Sequence, residues 1–150
     1  MAISRVLVLQ SVEDDLTRRR IARNRASPSL KHLVIDYCYA VELTRDQQQM
    51  YVEQVMDQVM TGSIDEGALL RRIDEKVASF LPDILIVHAG FVFCTFPRVF
   101  LSVLSSLKSK HPALRIASEA LYRIESPWRE MLDRVIERSA NVDTLARLIV

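Results

Sequence analysis

Apolar residues recur along this chain in two patterns. Short unbroken runs suit strands covered on both faces, and runs spaced three and four apart suit helices packed on one side. The first unbroken run is Arg5-Val-Leu-Val-Leu-Gln10, and the second, Leu33-Val-Ile-Asp-Tyr-Cys38, is rich in β-branched and aromatic side chains. A third strand is expected from Asp83 to Val87, inside Pro82-Asp-Ile-Leu-Ile-Val-His88-Ala-Gly90, and a shorter fourth over Leu114-Arg-Ile-Ala-Ser118.

Helical spacing fills the intervals. Ser11 can cap a helix reaching about Arg25, with Glu13, Asp14 and Asp15 at its positive end and a thin apolar stripe of Leu16, Ile21 and Ala22 before Pro28. Thr44-Arg-Asp-Gln47 has the form of a capping box. Met50, Val52, Val55, Met56, Val59 and Met60 follow at helical spacing up to Gly62, predicting one helix over Thr44 to Thr61. Ser63-Ile-Asp-Glu66 repeats the capping pattern ahead of Leu69, Leu70, Ile73, Val77, Phe80 and Leu81, which should run to Pro82. Thr95 and Pro97 start a helix with Phe100, Val103, Leu104 and Leu107 on its buried side, and Ser126-Pro127 caps another carrying Met131, Leu132, Val135 and Ile136. Leu145 to Val150 reads as either a fifth strand or a last helical turn.

Strands alternating with helices imply crossovers and a parallel sheet with helices on both faces. The expected fold is a single α/β domain over 1–150, three layers deep, with a mostly parallel sheet of four to five strands in a flavodoxin-like arrangement. With 49% apolar and 26% charged residues the chain can bury a core. No apolar run approaches the roughly 20 residues that span a bilayer, and Met1 to Arg5 lead straight into strand one, so no membrane association and a cytoplasmic location are expected.

Charge is distributed unevenly. Residues 1 to 32 hold seven Arg and Lys against three acids, and five arginines (Arg18, Arg19, Arg20, Arg23 and Arg25) lie within one helix, a candidate anion or nucleic-acid contact. No aromatic residue interleaves them to stack a base, so a solvated helix face is the plainer reading. Cys38 and Cys94 are expected as free thiols. With His32, His88 and His111 they form no ligand pair at short spacing, so neither a metal nor another cofactor is indicated. Gly62, Gly67 and Gly90 are too scattered to cradle phosphate.

In parallel sheets of this kind ligands bind beyond the carboxyl ends of the strands, where strand order reverses. That rule gathers Gln10, Ser11, Asp36, His88, Gly90, Ser118 and Glu119 as candidate ligand-binding positions, with no complete catalytic set among them. For His88 a hydrogen-bonded structural role competes with ligand binding or proton transfer.

Two resemblances follow from these residues. The stretch Pro82-Asp-Ile-Leu-Ile-Val-His88, a helix, then His111-Pro-Ala-Leu-Arg-Ile-Ala-Ser118 resembles the third strand, helix and fourth strand of receiver domains of response regulators. In that likeness His88 stands where the phosphate-accepting aspartate belongs and Ser118 matches the hydroxyl position, while the early acids are displaced to Glu13, Asp14 and Asp15. The resemblance therefore implies a degenerate receiver-like domain without aspartyl phosphorylation. Leu9-Gln10-Ser11 is similar to the nucleophile strand of SGNH hydrolases, but its glycine and aspartate are missing and no histidine follows His111.

The expected function is a non-enzymatic regulatory or sensory module working through a protein partner or as a homodimer, the latter through the Thr44 to Thr61 helix. A small-ligand-binding protein or minor hydrolase centred on His88, and anion or nucleic-acid binding through Arg18 to Arg25, are the alternatives.

Overall fold

Four strands grow from the four apolar runs and join in one parallel sheet: β1 (Arg5–Gln10), β2 (Val34–Tyr39), β3 (Ile84–His88) and β4 (Arg115–Glu119), in the order β2-β1-β3-β4. The structure, a computed structural model, describes residues 3–13, 15–62, 64–88, 91–119 and 124–149, with Val52, Met60, Phe91, Val92 and Glu119 described by backbone alone. Eight helices connect and follow the strands among these residues: α1 (Asp15–Ala26), α2 (Arg45–Gln48), α3 (Val52–Thr61), α4 (Glu66–Phe80), α5 (Phe91–Thr95), α6 (Pro97–Lys110), α7 (Trp128–Asp133) and α8 (Ala140–Ile149). This is a three-layer α/β fold with the flavodoxin-like strand order. The chain leaves β1 in one direction to β2, then crosses back to β3 on the other side.

Register decides which layer each side chain joins. Leu7 and Leu9 of β1, Leu85 and Val87 of β3 and Ile116 of β4 face a large core built with α3, α4, α6 and α7. Val6, Val8, Ile84, Ile86 and Ala117 face the opposite, smaller core, closed by Leu30 and by Val142, Ala146 and Ile149 of α8. At about 25 cal/mol per Å2 of apolar surface removed from water, the fully buried runs of β1 and β3 are the main source of cohesion. Their amino ends are stapled together. Asp83 Oδ2 accepts from the Ser4 and Arg5 amides at 2.8 Å each, and the Arg5 guanidinium donates to Phe80 O while lying 4.3 Å over the Phe80 ring. Those two amide donors hold the Asp83 carboxyl below its ordinary pKa.

Several local expectations are corrected. The Thr44 capping box forms, but it closes one short helix. The chain then turns, Tyr51 takes an extended backbone as the cap of α3, and the expected continuous helix is two. The cap of α4 is Asp65, whose side chain accepts from Ala68 N at 3.0 Å, and the expected cap Ser63 lies outside the described residues. A separate helix, α5, occupies the stretch before Pro97, so Thr95 ends a helix and does not start one. Ser126 does not cap α7. Its Oγ donates to Glu130 Oε1 at 2.6 Å, and Val135 and Ile136 lie beyond the helix end. The apolar C-terminal stretch is the helix α8, so the sheet has four strands among the described residues. On α1 the buried positions are Thr17, Ile21 and Asn24, while Leu16 is 54% exposed and Ala22 is exposed too. Much of the packing of α1 is thus polar: Asn24 Nδ2 donates to Ile149 O at 2.6 Å and to Tyr37 Oη at 3.2 Å.

Candidate functional site

The carboxyl ends of β1 and β3 form the rim where strand order reverses, and the side chains there divide between the two faces of the sheet. Because faces alternate along a strand, Gln10 and His88 fall on the side of Val8 and Ile86, under α1. Asp36 pairs in register with Leu7, and Ser118 with Val87, so both fall on the opposite side, with α4 and α6. Gly90 lies outside the described residues. Glu119 is placed by its backbone opposite His88, and its side chain lies outside the description.

Asp36, expected near the end of its strand, lies in mid-strand, since β2 runs on to Tyr39 and Asp36 pairs with Leu7; it, His88 and Ser118 are each tied into the protein. Arg20 Nη1 of α1 lies 3.2 Å from His88 Nε2. An arginine can only donate, so this approach is a hydrogen bond when His88 Nε2 carries no proton. Ser118 is buried and its Oγ donates to Val87 O at 3.0 Å, stitching β4 to β3. Asp36 forms an ion pair with Lys76 of α4 at 2.6 Å, and its other oxygen accepts from its neighbour's amide, Tyr37 N, at 2.8 Å. Burial pushes the Asp36 carboxyl up, but those two donors outweigh it and hold the group below its ordinary range. Beneath the same helix, burial raises the Cys38 thiol to about 12, which removes it as a nucleophile near neutral pH. Gln10 and Ser11 differ from the rest: both are buried, and Gln10 Nε2 and Ser11 Oγ have no hydrogen-bond partner among the described residues.

Most of the arginine cluster is occupied internally. Arg18 and Arg19 both reach Asp15, at 3.5 and 3.4 Å, Arg20 holds His88, and Arg23 approaches Asn24. Arg25 has no such partner among the described residues and faces a cleft of about 300 Å3 with Lys31, Leu33, Ile35 and Tyr37. His88 and Ser118 thus share the carboxyl rim from opposite faces of the sheet, while Asp36 lies back from it in mid-strand.

What the sequence does not show is a cleft of mixed lining, Gln47 and Gln48 included, at the break in the Thr44 to Thr61 segment expected to make contacts. A cleft of about 240 Å3 between α1 and the α2–α3 break is lined by Leu43, Met50, Tyr51, Val55 and Met56, with Glu13, Asp15 and Arg18 at its border. Tyr51 is 79% exposed beside it. The only sign in the sequence is the methionine-rich stripe, which a continuous helix would have turned wholly into the core. A more apolar cleft of about 390 Å3 lies at the opposite end of the sheet, between Leu81, Pro82, His111 and Leu114, away from all the strand-end candidates. Among the described residues no helix is long and apolar enough to cross a membrane, and no three His, Cys, Asp or Glu side chains gather as metal ligands. Compared with models of known protein families and with curated protein sequences, the chain matches none.

Proposed function

We propose that this protein is a non-enzymatic regulatory or sensory module that works through contact with protein, on a degenerate receiver-like fold. The observation that carries this reading is the contrast at the rim. Asp36, His88 and Ser118 bond to Lys76, Arg20 and Val87, while Tyr51 stands exposed at a cleft that Met50 and Met56 help to line. Adaptable thioether side chains beneath an exposed aromatic anchor suit a contact surface better than a reaction centre. The α2–α3 surface is where a protein partner or a second copy of the chain would sit.

Gln10 and Ser11 favour a second reading, in which a small polar ligand satisfies their buried groups, since a buried donor left without a bond costs about 1–3 kcal/mol. One set of measurements separates the two. Purified protein is assayed against ester and phosphoester substrates, alongside Ser11→Ala and His88→Ala, and its mass is followed by sedimentation alongside Tyr51→Ser. The contact reading expects no turnover in any form, and self-association of the parent chain, if present, to be lost in Tyr51→Ser. Turnover that disappears in Ser11→Ala or His88→Ala would overturn it in favour of a small enzyme.

A further inference from the structure

The sheet ends on one side in β2, and β2 carries a row of backbone groups directed away from the protein. Val34 N donates to Ser4 O and Ala40 N donates to Gln10 O, which fixes the even-numbered amides of the strand toward β1. By alternation, the N–H and C=O groups of Ile35, Tyr37 and Tyr39 point outward. Two of these six are already used: Tyr37 N–H by the Asp36 carboxylate at 2.8 Å, and Tyr39 O by Arg72 at 3.4 Å. The remaining four, Ile35 N–H and C=O, Tyr37 C=O and Tyr39 N–H, have no partner among the described residues.

A cleft flanks this edge on each side of the sheet. The one on the α1 side has Leu33, Ile35 and Tyr37 as its apolar lining, with Arg25 and Lys31 beside them. The other lies against α4 and contains Cys38, Arg72, Glu75, Lys76 and Ser79. On the α4 side Lys76 pairs with Asp36 and Arg72 lies toward Glu42, while Glu75 has no ion pair among the described residues, so that cleft is one acid in excess and suits the uncharged positions of a partner. On the α1 side neither Arg25 nor Lys31 forms an ion pair among the described residues, although Arg25 lies close enough to Asp36 to help hold its carboxyl down, and Arg23 adds a further cation on the same helix.

We infer that the β2 edge receives an extended acidic segment of another protein as an added strand. Alternate side chains of such a segment fall into the two clefts, so its acidic positions meet Arg25 and Lys31 while its backbone completes the ladder. A second copy fits less well. A two-fold axis normal to the sheet keeps both α1 helices on one side, so the arginine-rich helices of the two copies would crowd a single junction. The inference rests on the reading of the protein as a contact module but uses a surface separate from α2–α3, so the two can fail independently.

The test is a titration of the intact chain with a short synthetic peptide alternating glutamate and valine, read by amide hydrogen exchange and by affinity. A peptide alternating lysine and valine serves as its counterpart. Slowed exchange at Ile35 and Tyr39 is expected with the acidic peptide alone. The double substitution Arg25→Glu with Lys31→Glu should weaken binding about ten-fold or more. Asp36→Ala, which frees Tyr37 N–H and removes a negative charge from the path of the peptide, should tighten it, an outcome that mere damage to the fold would not give. Equal binding of the lysine peptide, protection confined to Tyr51 and its neighbours, absence of binding, or protein that pairs with itself along β2 without peptide would each overturn the inference.

Discussion

The two edges of the sheet are built from strands of similar length and receive opposite treatment. At β4 the chain beyond α7 folds back onto the strand. Glu137 N donates to Ile116 O at 2.7 Å, and the Glu137 carboxylate grips the Arg115 guanidinium through two bonds of 2.7 and 2.9 Å. Ile116 and Ala117 are buried as well, in the cores on the two faces of the sheet. At β2 no further backbone among the described residues covers the strand, Val34 is 51% exposed, and its outward groups meet only side chains, Asp36 at the Tyr37 amide and Arg72 at the Tyr39 carbonyl. A free strand edge invites pairing, and natural proteins cover, twist or charge it to prevent indiscriminate association. Here one edge is covered by chain and the other is guarded only by the Asp36 and Arg72 side chains, a difference between a finished boundary and a conditional one.

The contrast can be broken most forcefully at the cores of the two strands. Ile116→Ala should cost about 3 kcal/mol in urea denaturation, because a side chain fully removed from water leaves a cavity. Val34→Ala on the open edge should cost no more than about 0.5 kcal/mol. Comparable losses at both positions would show that β2 is covered in solution. Next in size is the clasp itself: a double-mutant cycle on Arg115→Ala and Glu137→Ala should return a coupling of about 1 kcal/mol, allowing for partial exposure of both groups. A coupling indistinguishable from zero would leave the backbone bond as the sole closure.

The smallest effect is at the guard. Because Lys76 and Tyr37 N–H hold the Asp36 carboxyl below its ordinary value, what it contributes to the folded state is complete above the ordinary carboxylate range and is lost as pH falls through its lowered value. Exchange at Tyr37 N–H, corrected for the intrinsic pH dependence, should therefore quicken on acidification before the sheet unfolds. In Asp36→Asn that pH step should disappear. A step that persists in Asp36→Asn would assign it to another acid, with Asp83 the first to test.

Strand positions were legible because an unbroken apolar run of five or six residues between polar ends has few other uses in a domain of this size. The same feature hid the site. A run that is apolar on every residue has no period-two signal, so nothing in Asp83 to His88 or Leu114 to Ser118 says which side chain faces which helix. His88 and Ser118 share the rim that the sequence implies, but only the pairing shows that they meet it from opposite faces. The partners that occupy the candidates, Arg20 for His88 and Lys76 for Asp36, come from separate helices whose placement depends on packing that no local spacing encodes. The apolar stripe of α1 was misjudged for a related reason. Where a helix binds through Asn24 and Thr17 as well as Ile21, hydrophobicity alone selects the wrong face.

Asn24 carries a consequence for how the molecule is made. One amide group near the start of the chain reaches Ile149 at its far end and Tyr37 between them, so the layer formed by α1 is completed only once the last helix is in place. During synthesis α1 emerges well before α8 and would have to wait for it before it could settle.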